Sequence, residues 1–101
     1  MTKYETPLVY DRSFTFFNGL SLIRDFKDLR GNRVTFGYML VGKYIWKTVR
    51  AERFTIYSGR ATFVFNDITL EAIAKAVITI PKKTLFEVHV EETLDYRCDY
   101  D

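Results

Sequence analysis

The chain reads as a single α+β domain, and three observations lead to that reading. Segments rich in aromatic and β-branched residues alternate with a period of two. Two intervening segments carry apolar residues at helical spacing after an asparagine. Finally, 101 residues with 48% hydrophobic and 17% aromatic content suit one packed core and leave no room for a second domain. The expected order is β-α-β-β-β-β-α-β, a mainly antiparallel sheet of five or six strands with two helices on one face. A shorter central hairpin would turn this into a ferredoxin-like variant.

Met1 to Asp11 reads as an irregular lead-in or edge strand. Arg12 to Phe17 reads as the first strand, with Phe14 and Phe16 on one face. Asn18 can cap a first helix, in which Leu22, Ile23, Phe26 and Leu29 form the apolar stripe and Gly31 the stop. The period then changes to two. Val34, Phe36, Tyr38 and Leu40 share one face, and after Gly42 so do Tyr44, Trp46 and Thr48, which predicts a hairpin. Phe54–Tyr57 and Ala61–Phe65 flank Ser58-Gly59, which reads as the turn of a second hairpin. Asn66 or Asp67 can cap a second helix through Leu70, Ile73, Ala74 and Val77, although β-branched Val77–Ile80 also suits a strand. Phe86, Val88 and Val90 alternate with Glu87, His89 and Glu91 as a last strand.

The net charge of +2 conceals a polarity along the chain. Between Arg24 and Arg60, nine cationic residues face three acidic ones. From Leu85 to Asp101, six acidic residues face Arg97 alone. Residues 92–101 therefore read as an acidic, mobile tail, with folding onto the basic centre as the alternative. One cysteine, Cys98, excludes an intramolecular disulfide and a thiolate zinc cluster. The start Met1-Thr2-Lys3-Tyr4-Glu5 lacks a signal-peptide pattern, and no apolar run spans a bilayer, so a cytoplasmic protein without a membrane partner is expected.

The inventory for catalysis is thin. The single histidine, His89, lies between Glu87 and Glu91 and falls short of the usual metal-ligand and acid–base sets. The five glycines form no phosphate-binding loop. These absences predict a non-enzymatic binding protein with no cofactor and no metal. Its basic middle interleaves Tyr44, Trp46 and Tyr57 with Lys43, Lys47, Arg50, Arg53 and Arg60, the composition of a surface that stacks bases and neutralises phosphates. Nucleic acid is the expected partner on this reading. The alternative is a protein-binding module or inhibitor, such as a small viral or plasmid-encoded antagonist, because the same residue types are enriched at binding hot spots. A homodimer formed through the last strand, with Val88 and Val90 at its edge, is a further expected partner.

Phe14-Thr-Phe-Phe-Asn-Gly-Leu20 resembles the first-strand signature of RNA-recognition motifs. Ser58–Phe65, a helix with Ala72, Lys75 and Ala76, and Phe86–Val90 resemble that family's third strand, second helix and last strand. Arg60 and Thr62 stand where the family offers stacking aromatics, and the span from Val34 to Arg60 is about a hairpin longer, so the resemblance is one of element order.

Overall fold

The structure, a computed structural model, describes residues 7–101, and the reading of Met1 to Thr6 falls outside it. Among the described residues there is no helix, and hence none long and apolar enough to cross a membrane. Eight strands form one antiparallel sheet: β1 Val9–Phe16, β2 Ser21–Lys27, β3 Arg33–Met39, β4 Gly42–Lys47, β5 Glu52–Phe65, β6 Ile68–Ala72, β7 Val77–Ile80 and β8 Leu85–Tyr100. The expected α+β class is therefore corrected to all-β.

Both expected helices are hairpins. Asn18 does not cap a helix: Phe17, Asn18 and Gly19 all take positive φ in the loop that returns β1 onto β2, in register Phe16↔Ser21. The same short polar side chain that suits an N-cap also tolerates the left-handed region. Gly31 closes the β2–β3 loop, where the Asp28 carboxylate accepts from the main-chain N–H groups of Arg30 and Asn32, each at 2.9 Å. Asn66 and Asp67, with φ of 48° and 62°, form the two-residue turn between β5 and β6, paired Phe65↔Ile68. The β-branched run Val77–Ile80 becomes β7 and pairs with the start of β5.

The two expected central hairpins are replaced by longer-range pairing. β3 and β4 do not pair with each other. β3 pairs with the second half of β8 (Met39↔Leu94) and β4 with the first half (Gly42↔Val90). Ser58-Gly59 is no hairpin turn but a bend inside the continuous β5, marked by register shifts against β8 from Ile56 to Ala61. In-and-out alternation breaks in both strands at this point, at Tyr57–Arg60 and Glu91–Thr93. Phe54 and Phe63 show the result. Nine residues of straight strand would separate them by roughly 30 Å, yet their ring centroids are 5.4 Å apart. The bent β5–β8 pair thus folds the sheet into two facing layers around one core, which includes Phe54, Ile56, Phe63, Phe86, Val88, Leu94 and Tyr96.

Residues 92–101 are consequently not a mobile tail. They form the half of β8 that lies between β3 and β5. The charge polarity along the chain is paired off in space, as Arg53–Asp99 (3.7 Å), Arg97–Asp99 (3.1 Å), Arg60–Glu92 (3.5 Å) and Lys43–Glu87 (3.3 Å). Val88 and Val90 are buried between two partner strands, so β8 offers no free edge there.

At Gly59, φ is +96° and an added Cβ would lie 2.1 Å from the Thr93 carbonyl oxygen. We expect Gly59→Ala to cost roughly 2 kcal/mol or more through left-handed strain and strand separation. The check is denaturant unfolding against the unaltered chain, where an unchanged midpoint would contradict the bend.

Candidate functional site

Alternation within the first layer sends one residue in two toward the space between the layers. β2 contributes Ser21, Ile23 and Asp25; β3 contributes Thr35, Gly37 and Met39; β8 contributes Leu94, Tyr96, Cys98 and Tyr100; β5 contributes Glu52, Phe54 and Ile56. Registers Asp25↔Thr35↔Cys98↔Phe54 and Ile23↔Gly37↔Tyr96↔Ile56 set these side chains in rows. The polar members gather toward one end. A cavity of about 90 Å³ remains there, lined among others by Thr35, Trp46, Glu52, Tyr96, Cys98 and Tyr100. That is room for roughly three waters at about 30 Å³ each.

Above this cavity, sharing Lys47, Glu52 and Tyr100 with it, lies a wider mouth of about 610 Å³. Five cations line the mouth, Arg12, Lys27, Arg33, Lys47 and Arg50, against the carboxylates of Asp11 and Glu52. Cations converging on a concave site raise the local concentration of anions.

Beneath the cations runs a chain of hydroxyls. Thr35 Oγ1 donates to Asp25 Oδ1 at 2.7 Å, which leaves the Tyr100 hydroxyl to donate to Thr35 Oγ1 at 2.8 Å. Asp25 is only 3% exposed. Its other oxygen faces Arg12 Nε at 3.4 Å and Arg33 Nη1 at 3.9 Å. The Arg33 guanidinium also lies over the Tyr100 ring, 4.1 Å from its centroid. Burial pushes the Tyr100 phenol pKa up, so it stays a donor. Across the cavity, burial raises the pKa of Glu52, opposed in part by the thiol hydrogen bond from Cys98 at 3.7 Å and by the Arg33 charge. Burial likewise raises the Cys98 thiol, which stays protonated.

The structure scatters the residues expected to bind nucleic acid. Trp46 forms a wall of the cavity, braced edge-on by Phe16 and Phe17 at 5.2 Å, and Lys47 and Arg50 stand at the mouth. Arg50 is fixed by donating to the Asp101 main-chain carbonyl. Tyr44 is buried and donates to the Leu40 carbonyl at 2.6 Å, so its ring cannot stack on a base. Lys43, Arg53 and Arg60 lie on the outer surface in ion pairs, and Tyr57 is exposed. His89 binds Glu87 at 2.8 Å, partly exposed. Among the described residues, no three His, Cys, Asp or Glu side chains converge to hold a metal ion. Sequence reasoning misses Arg12, Asp25, Arg33, Thr35, Glu52, Tyr96 and Tyr100. Asp25 carries the one available signal, a carboxylate flanked by Ile23 and Phe26.

A family model described as pyrimidine/purine nucleoside phosphorylase matches residues 12–100. The chain belongs to that family. Curated relatives named pyrimidine/purine nucleoside phosphorylase occur in Sulfurovum sp., 29% identical over 99% of both chains, and in Citrifermentans bemidjiense, 28% identical over the same shares. In fold the chain is similar to an Acinetobacter sp. protein of unknown function, with a TM-score of 0.85, 23% identity and 95% and 94% coverage of the two chains. It is also similar to a cupin superfamily protein of Desulfitobacterium hafniense, with a TM-score of 0.66, 10% identity and 79% and 76% coverage. Membership overturns the expectations of a nucleic-acid binder, of a viral or plasmid-encoded inhibitor and of a non-enzymatic protein. A histidine base or a glycine-rich loop is the wrong signature here, because the mouth and cavity draw scattered residues from β1, β2, β3, β4, β5 and β8.

Glu52 provides a test of the site's electrostatics. A carboxyl with a raised folded-state pKa binds more protons folded than unfolded, so its contribution is present below the ordinary value of 4.5 and is lost as pH rises through the raised one. Glu52→Gln should therefore stabilise the chain near pH 7 to 8, and the gain should shrink below about pH 4.5. Melting temperatures across that range check this, and a gain independent of pH would contradict it.

Proposed function

We propose that this chain catalyses phosphorolysis of nucleosides, with inorganic phosphate and the nucleoside bound in the cationic mouth and only the edge of the base directed into the cavity beneath it. The observation that carries the reading is the juxtaposition of the five-cation mouth with a cavity walled by Trp46 and bordered by the buried Glu52 carboxyl. Family membership and the names of the relatives support it.

Lys47 and Arg50 line the mouth together with Arg12 and Arg33. Asp25 and Thr35 act as positioning residues, because the buried carboxylate fixes both guanidinium groups. Phosphate is bound by charge-assisted hydrogen bonds, each worth more than a neutral one. A phosphate oxygen then bonds to the anomeric carbon as the carbon–nitrogen bond to the base breaks. The bonding pair passes to the base nitrogen, and the products are a pentose 1-phosphate and the free base. Positive charge developing on the sugar is stabilised by the phosphate itself, so most of the acceleration comes from positioning and from a preorganised electrostatic environment. Glu52, held toward its protonated form by burial, is placed to supply the proton that the departing base takes up.

Lys47 lies in no ion pair among the described residues and borders both mouth and cavity. Lys47→Gln should raise the KM for phosphate about 10-fold, the equivalent of losing one charged hydrogen bond of ~1.5 kcal/mol, and should leave the KM for the nucleoside nearly unchanged. Phosphate-dependent release of base from uridine and inosine measures both constants. Release without phosphate, or no release, would overturn the reading.

A further inference from the structure

Three tyrosine hydroxyls sit inside the two-layered sheet, and two have protein partners. Tyr44 donates to the Leu40 carbonyl, and Tyr100 is bound to Thr35. The third, Tyr96, is only 3% exposed, yet its hydroxyl makes no hydrogen bond among the described residues. It is not sealed in either. Among the described residues, the one buried side-chain oxygen with no partner and no access is Ser21 Oγ, while Tyr96 lines the cavity together with Thr35, Glu52, Cys98 and Trp46. A buried polar group without a partner costs free energy, so such a group is kept for a reason.

The backbone has been shaped around this ring. Gly37 stands opposite Tyr96 across β3 and β8. A Cβ on Gly37 would lie 2.7 Å from the Tyr96 hydroxyl oxygen and 2.9 Å from the ring carbon bearing it. Any larger residue would push the phenol away from β3. The ring is fixed on its other side by Phe54, 5.3 Å between centroids. The hydroxyl is thus held rigidly, without a partner, among the apolar walls of Ile23, Met39, Phe54 and Phe86.

We propose that the Tyr96 hydroxyl donates a hydrogen bond to an acceptor atom on the edge of the nucleobase and strengthens that bond as the base departs. The inference rests on the phosphorolysis reading and adds a base-contacting residue to it. A cavity of this size admits the edge of a base and not the whole ring, and a fixed donor inside it suits an acceptor atom on that edge. As the phosphate oxygen bonds to the anomeric carbon, the carbon–nitrogen bond pair moves onto the base, whose acceptor atoms gain negative charge before protonation. A hydrogen bond to a more negative acceptor is stronger, so the contact favours the transition state over the bound nucleoside. Burial, followed by the neighbouring Cys98, pushes the phenol pKa up, so the group keeps its proton and donates throughout.

Tyr96→Phe removes only the oxygen. We expect kcat for guanosine to fall at least 10-fold with little change in KM, and the melting temperature to hold or rise because no protein hydrogen bond is lost. The decisive comparison is with 7-methylguanosine, whose cationic base becomes neutral, not anionic, as it takes the bonding pair and leaves. For that substrate the loss in kcat should be less than 3-fold. Equal losses for the two substrates, or a loss that tracks a fallen melting temperature, would assign Tyr96 a structural role and overturn the proposal. Undiminished turnover of guanosine by Tyr96→Phe would overturn it alone. No phosphate-dependent turnover by the unaltered chain would remove the phosphorolysis reading and this inference together.

Discussion

The pairing of β5 with β8 is the constraint on which the rest of the molecule depends. These two strands, of 14 and 16 residues, run side by side through both layers and bend together where Gly59 approaches the Thr93 carbonyl. Every other layer contact hangs on them: β3 and β4 on β8, β6 and β7 on β5. The bend permits Phe54, Phe63, Phe86 and Tyr96 to meet in one aromatic cluster instead of lying along a flat ribbon. Aromatic contacts of this kind add to the burial of apolar area, here in a core where Phe63 and Val88 are fully enclosed.

The same bend makes the site. Because the polar inward residues of the first layer lie toward one end of their strands, folding the sheet over them encloses a small cavity and leaves a wide cationic entrance. Asp25 shows how this is kept stable. A carboxylate buried to that degree would be costly if unpaired, but it is bound by Thr35 and faced by two guanidinium groups. On the outer surface, by contrast, cross-strand ion pairs such as Arg53–Asp99 bring opposite charges together. Positive charge thus remains concentrated where the interior opens.

The sequence reveals local β structure well and long-range pairing poorly. Alternation at Tyr44–Thr48 and Phe86–Val90 matches β4 and the start of β8, whereas Val34–Leu40 marks β3 as a strand but not its inward face, which is Thr35, Gly37 and Met39. Asn18 and Asn66 mislead because asparagine serves equally at a helix N-cap and in a left-handed turn, and only the pairing of the flanking strands decides between them. Ser58-Gly59 misleads for a related reason. Glycine marks a change of direction, but whether the strand reverses or merely bends depends on a partner some thirty-five residues further on. Within the site, Trp46, Lys47 and Arg50 can be found from their composition. Asp25 gives only the hint of a carboxylate beside apolar neighbours and Glu52 none, since their roles come from β-strand rows that join distant segments.

That β8 follows every strand it pairs with and yet lies between them bears on how the molecule is made. β3 and β4 pair with nothing on that side until Leu85–Tyr100 has emerged, and β5 lacks its longest neighbour. Pairings so distant in sequence close slowly, because the loop entropy is lost before the contacts form. Until then the aromatic faces of Phe54 and Phe63 have no cover, and the nascent chain must carry them exposed. Tyr96 and Tyr100 arrive with the strand that completes the core, so the protein acquires its fold and its interior chemistry in a single late step.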